Sequence, residues 1–86
     1  MINVKLCLYG GFRQLGTNEI ILKMQDNACV DELRQELKQY IQQSKVKIPE
    51  QIVGISVFAT DECILSDSDP VSGHLSLSVL PPVCGG

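Results

Sequence analysis

The sequence predicts an α+β domain, a mixed sheet of about five strands with one main helix packed on one face. Three patterns lead there. At the start, Ile2, Val4, Leu6 and Leu8 alternate with Asn3, Lys5, Cys7 and Tyr9, the period of a half-buried strand. In the middle the period lengthens: Val30, Leu33, Leu37, Tyr40 and Ile41 fall on one stripe of a helix. Near the end alternation returns, with Leu75, Leu77 and Val79 inward and Ser76 and Ser78 outward.

The elements between these follow in order. Gly10-Gly11 breaks the first strand, and Phe12 to Asn18 reads as a loop leading to a second strand at about Glu19 to Met24. The two strands form a hairpin with a longish connection. Gln25-Asp26-Asn27 is a polar break before a helix from about Cys29 to Gln43. Asp31 and Glu32 sit in its first turn, where the helix dipole favours negative charge, and Glu32 can close back onto the Cys29 backbone. Cysteine is a poor N-cap, so a slightly frayed entry is expected.

Residues 44–51 read as a connection whose geometry Pro49 sets. Val53, Ile55, Val57 and Ala59, alternating with Gly54, Ser56, Phe58 and Thr60, predict a third strand. Cys63-Ile64-Leu65 suits a brief edge strand, and Ser66 to Gly73 is turn chemistry throughout. A last strand from about Leu75 to Leu80 ends at Pro81-Pro82, since neither proline can donate to a ladder. A hairpin, one helix, then strands returning to the same sheet is the layout of a β-grasp domain. It spans residues 1–80, with 81–86 as an extended tail.

Composition narrows the function. At 86 residues the chain is one domain, too short for an enzyme with its own deep cleft. A net charge of −3 argues against a nucleic-acid partner, and no apolar run approaches the roughly 20 residues that cross a bilayer. The alternating N-terminus does not resemble a signal peptide, so a cytoplasmic location is expected. There Cys7, Cys29, Cys63 and Cys84 remain thiols. With no Cys-x-x-Cys pair and His74 as the one histidine, no metal site is expected. His74 reads as a solvated loop residue. Asp61, Asp67 and Asp69 lack the ligand run of a calcium loop and read as solvated turn residues.

The chemistry is concentrated after the last strand, in Pro81-Pro82-Val83-Cys84-Gly85-Gly86. Two prolines favour a stiff, extended stem, and six residues at about 3.3–3.6 Å each reach on the order of 20 Å. Terminal glycines carry no side chains, so the Gly86 carboxylate can enter a channel only as wide as a bare backbone. Such a tail is suited to presentation in another protein's active site.

This sequence resembles the MoaD–ThiS family of ubiquitin-like sulfur carriers, most closely the small subunits of molybdopterin synthase. Leu80-Pro81-Pro82-Val83-Cys84-Gly85-Gly86 matches the family's hydrophobic-Pro-Pro-Val-x-Gly-Gly ending. Leu8-Tyr9, Arg13, Leu15 and Gly16-Thr17 are similar to its first strand and loop, and Val30-Asp31-Glu32-Leu33-Arg34 to its helix entry. The chain departs from the family in having Gly73-His74-Leu75 before the last strand and Cys84 where a small Ser, Thr or Ala is frequent.

The resemblance implies a carrier rather than an enzyme. An adenylyltransferase related to ubiquitin-activating enzymes would use ATP to join the Gly86 carboxylate to AMP. A persulfide donor would then displace AMP and leave a Gly86 thiocarboxylate. In molybdopterin synthase the large subunit receives this tail, with Pro81, Pro82, Val83, Cys84 and Gly85 as the partner-binding stem, and sulfur passes to a pterin precursor to build the dithiolene. The catalytic residues and the pterin site lie in that partner, the small subunit binds no cofactor of its own, and the assembly is a heterotetramer.

The resemblance further implies that Tyr9, Ile64 and Leu80 form an apolar patch pressed against partners, ordinary packing being the alternative. Cys84 is either a small stand-in for serine or a thiol close enough to attack the activated carboxyl. Three other functions remain open: a carrier for thiamine thiazole or tRNA thiolation, a protein modifier joined through Gly86 to lysines, and a plain interaction domain.

Overall fold

The computed structural model describes residues 1–71 and 76–81. The expectations for His74, for Leu75 and for the stem from Pro82 to Gly86 therefore lie outside the described residues. Eight elements follow one another: β1 (Ile2–Leu8), a 3-10 helix (Gly10–Leu15), β2 (Glu19–Met24), α1 (Val30–Gln43), α2 (Glu50–Gly54), β3 (Val57–Ala59), β4 (Ile64–Leu65) and β5 (Ser76–Leu80). The strands form one five-stranded sheet in the order β2-β1-β5-β3-β4. β1 and β5 are parallel, with Leu8 opposite Val79, and the other pairs are antiparallel. This is the mixed sheet with one main helix that the sequence predicts. No helix of the described residues is long and apolar enough to cross a membrane.

Alternation decides which face each strand buries. Val4, Leu6 and Leu8 of β1, Ile20, Leu22 and Met24 of β2, Phe58 of β3, and Leu77 and Val79 of β5 all point to one side. They share a single buried cluster with Val30, Leu33, Leu37 and Ile41 of α1. Removing that much apolar surface from water is the main favourable term in the fold. Tyr40, expected in the helix stripe, lies on its rim and is exposed, while Arg34 is buried.

The entry to α1 is pinned, correcting the frayed entry expected from a cysteine N-cap. The Val30 and Asp31 amides donate to the carbonyls of Asp69 and Asp67, each at 2.9 Å. The Glu32 carboxylate accepts from the Cys29 amide at 3.4 Å. Backbone from the 66–71 segment thus satisfies donors that a side-chain cap leaves orphaned. Asp67 and Asp69 are correspondingly more than solvated turn residues: Asp67 pairs with Arg34 at 2.7 Å, and Asp69 accepts from the Ser66 amide at 2.8 Å.

Two stretches differ in kind from the expectation. The segment read as a loop after Gly11 begins as the 3-10 helix, which sends Phe12 fully into the core and ends at Gly16 in the left-handed region (φ 86°). The expected third strand starts late: Val53 and Gly54 close helix α2, Ile55 is a turn, and the strand begins only at Val57. Val53 and Ser56 are buried and Ile55 is exposed, a helical rather than an alternating spacing. Arg34 explains it: its guanidinium donates to the carbonyls of Val53 (2.7 Å), Gly54 (3.3 Å) and Ser56 (2.7 Å), groups a strand would commit to a ladder. The same guanidinium lies 5.1 Å from the centre of the Phe58 ring.

Candidate functional site on the helix-free sheet face

Residues between the core positions point to the opposite, helix-free face. The registers Cys7 with Ser78, Ala59 with Ser78 and Ala59 with Ile64 place these four residues in one row across the sheet. Three of them, Cys7, Ser78 and Ala59, are small and form the floor of a shallow groove of about 480 Å³. Tyr9 walls one side and the turn from Thr60 to Cys63 the other. In that turn Thr60 Oγ1 accepts from the amides of Glu62 and Cys63, both at 3.1 Å, which leaves Asp61 and Glu62 exposed at the rim.

The three candidate patch residues all reach this face. Tyr9 is 41% exposed, Leu80 37% and Ile64 70%. Leu80 ends β5 and pairs with Val57, while Tyr9 follows β1 with its backbone still extended (φ −129°, ψ 157°). Because β1 and β5 are parallel neighbours, Tyr9 and Leu80 finish at the same end of the sheet. Ile64 stands two strands away from Leu80, on the short edge strand β4. Arg13 fastens the Tyr9 end: its Nε donates to the Leu8 carbonyl at 3.2 Å and its guanidinium lies 5.6 Å from the ring centre. Arg13 therefore brings a positive charge beside Tyr9, at the end of the sheet where β1 and β5 finish.

Of the stem, the structure places Pro81, half-buried at the exit of β5. Its neighbour is Gly10, at φ 58°; a Cβ built there would lie 2.7 Å from Pro81 Cγ. Pro82, Val83, Cys84, Gly85 and Gly86 lie outside the described residues. Cys7 and Cys29 are half-buried thiols and Cys63 an exposed one. The described residues hold no group of three His, Cys, Asp or Glu side chains placed to bind a metal ion.

Sequence reasoning missed Val57, Arg13 and Gly10 at this site. The signal for Arg13 was present in its spacing from Tyr9. The pairing of Gly10 with Pro81 depends on the parallel register of β1 and β5, which no local pattern contains.

No family model and no curated protein matches the chain. Solved structures do. The ubiquitin-like (UBL) domain of Plasmodium falciparum Dsk2 superposes with a TM-score of 0.64 at 17% identity, over 94% of this chain and 97% of that one. A Pyrococcus furiosus protein assigned as molybdopterin converting factor subunit 1 gives 0.66 at 21% identity, over 96% and 100%. A chain from the complex of subunits 1 and 2 of the Helicobacter pylori molybdopterin-converting factor gives 0.54 at 21% identity, over 99% and 100%. At these identities the likeness establishes the fold. The chain is a ubiquitin-like β-grasp domain.

Proposed function

We propose that the protein is a sulfur carrier, the small subunit of a molybdopterin synthase, bearing sulfur as a thiocarboxylate on Gly86. The observation that carries this reading is the Pro81-Pro82-Val83-Cys84-Gly85-Gly86 ending on β5, a central strand whose exit lies beside the exposed Tyr9 and Leu80. A tail so rooted comes with a docking surface at its base. The fold likeness to converting-factor subunits adds support.

The chemistry lies outside this chain's own catalytic means. A carboxylate is a poor electrophile, so an adenylyltransferase joins the Gly86 carboxylate to the α-phosphate of ATP and pyrophosphate leaves. A persulfide sulfur then attacks the acyl carbon, AMP leaves, and reduction of the acyl disulfide by a second thiol frees the thiocarboxylate. The large subunit binds the loaded tail and transfers sulfur to the pterin precursor for the dithiolene of the molybdenum cofactor. Its acids and bases do that work; this chain contributes sulfur, reach and position. The complex of subunits 1 and 2 among the neighbours supports such a partner. The assembly is a cytoplasmic heterotetramer, and ATP is used by the activating enzyme rather than held here.

The test is intact mass after incubation with ATP, a cognate activating enzyme and a sulfur donor. Replacement of one oxygen by sulfur, mapped to Gly86 by fragmentation and lost on deleting Gly86, is the expected result. The same spectrum reports whether Gly86 carries a free carboxylate in the native protein. An unchanged mass, with an enzyme that loads another carrier, rejects the reading. Transfer to a pterin precursor separates this pathway from thiazole or tRNA thiolation, and an isopeptide ladder dependent on Gly86 would instead identify a protein modifier.

A further inference from the structure

We infer that Gly10 is a positioning residue for the tail: its bare backbone seats the Pro81 ring and so sets the direction in which the chain leaves β5. Two independent facts require glycine there. Its φ of 58° lies in the left-handed region, and a Cβ would stand 2.7 Å from Pro81 Cγ and 3.6 Å from Cδ. The obstacle is a pyrrolidine ring, which cannot swing aside as a flexible side chain can. The other described glycines lack this combination. Gly16 has φ 86° but nothing within 4 Å of its would-be Cβ, and the nearest atom to a Cβ on Gly11 is a Gln14 side-chain nitrogen at 3.8 Å.

The contact follows from topology. β1 and β5 are parallel with Leu8 opposite Val79, so two residues further along each strand Gly10 comes opposite Pro81. Pro81 cannot extend the ladder, and its own φ is restricted by its ring. With φ restricted and the ring seated on Gly10, the stem's first residue has little freedom in where it points. On the carrier reading, the Tyr9, Ile64 and Leu80 face docks while the stem must deliver Gly86 to a reaction centre. The seat then links the docking surface to the angle of delivery. Misplacing a reacting group by about 1 Å can cost on the order of 10²-fold in rate.

The experiment compares Gly10→Ala, Gly16→Ala and Pro81→Ala with the parent chain. Gly16→Ala imposes similar backbone strain without the ring contact, and Pro81→Ala removes the ring without strain at residue 10. Residual dipolar couplings of the Val83, Cys84, Gly85 and Gly86 amides report stem orientation, and those of Leu6 and Leu77 report the sheet. The expected result is altered stem couplings in Gly10→Ala and Pro81→Ala, with sheet couplings unchanged, and parental stem couplings in Gly16→Ala. Should Gly10→Ala fail to fold, Pro81→Ala alone carries the test.

The kinetic arm rests on the proposed function and follows adenylation of Gly86. Gly10→Ala should lower kcat by about tenfold or more while KM, set by docking, changes less than about twofold. Adding Pro81→Ala to Gly10→Ala should restore part of kcat. Parental stem couplings in both Gly10→Ala and Pro81→Ala, or an equal change in Gly16→Ala, would overturn the inference. Altered stem couplings in Gly10→Ala and Pro81→Ala, together with a parent chain that no activating enzyme accepts, would uphold the seat and discard the carrier reading.

Discussion

The two faces of the sheet are made by the same strands and differ sharply. On the helix-covered side Leu8, Phe58, Leu77 and Val79 are at most 1% exposed. On the other, Leu80, one residue from Val79, is 37% exposed, and Ile64, on the strand beside Phe58, is 70% exposed. Removing apolar area from water is favourable by roughly 25 cal/mol per Å², a gross gain that association, unlike folding, must offset against lost freedom of two bodies. The covered face has realised that gain in folding, while the open face leaves apolar surface in water, which on the proposed function is available for association. Substitutions should therefore separate cleanly, with stability lost on one side and partner affinity on the other.

The largest expected effect lies on the covered side. Phe58→Ala should lower unfolding free energy by about 3–5 kcal/mol in a urea titration, through lost transfer energy and a cavity. It also removes the ring under Arg34, and a domain of this kind has only about 5–15 kcal/mol to lose. A loss below about 1 kcal/mol would show that the core collapses around the gap and that the contrast between the faces is overstated. Arg34→Met should follow at about 2–3 kcal/mol. It leaves the Val53 and Ser56 carbonyls without their donor, an effect that burying a neutral side chain in place of a charge partly offsets. Arg34→Lys should recover less than half, because one ammonium cannot reproduce a planar fork that also meets Asp67 at 2.7 Å.

Those two residues also show what the sequence disclosed and what it withheld. β2 begins at Glu19 and ends at Met24, and α1 ends at Gln43, where the apolar period alone placed them. In these elements neighbours along the chain determine which face is buried. The end of α2, Val53 and Gly54, was read as strand because Val53, Ile55, Val57 and Ala59 alternate. The deciding partner is Arg34, nineteen residues before Val53, whose guanidinium takes the carbonyls. Phe12 was likewise assigned to a loop, since the core that claims it is assembled from the rest of the chain. At the site, Tyr9, Ile64 and Leu80 are exposed on one face of the sheet. Gly10 was visible only as a strand breaker, because its meeting with Pro81 is a property of sheet order.

The open face should respond in the reverse sense. Ile64→Ala is expected to change folding stability by less than about 0.5 kcal/mol, as for other surface substitutions. On the proposed function it should weaken binding to the large subunit by about 1–2 kcal/mol, measured by calorimetry, if the face concentrates affinity in a few apolar anchors. Equal losses in both measurements would make Ile64 a packing residue and remove the contrast.

The smallest effect sharpens the comparison by separating contact from steering. Asp61 and Glu62 are held outward by the Thr60 hydroxyl at the rim of the groove, and neither has an ion-pair partner among the described residues. Exposed rim charges act mainly on encounter rates, and salt screens them over about 8–10 Å. Asp61→Asn with Glu62→Gln should leave the urea midpoint unchanged and the dissociation rate nearly so. The association rate should fall a few-fold at low salt and converge with the parent rate near 0.5 M salt, an order-of-magnitude expectation from screening. Stopped-flow association across a salt series measures this directly. A faster association in the double variant would mean that the partner opposes this rim with negative charge, and the docking face would then have to be sought on the Tyr9 side, where Arg13 supplies the opposite sign.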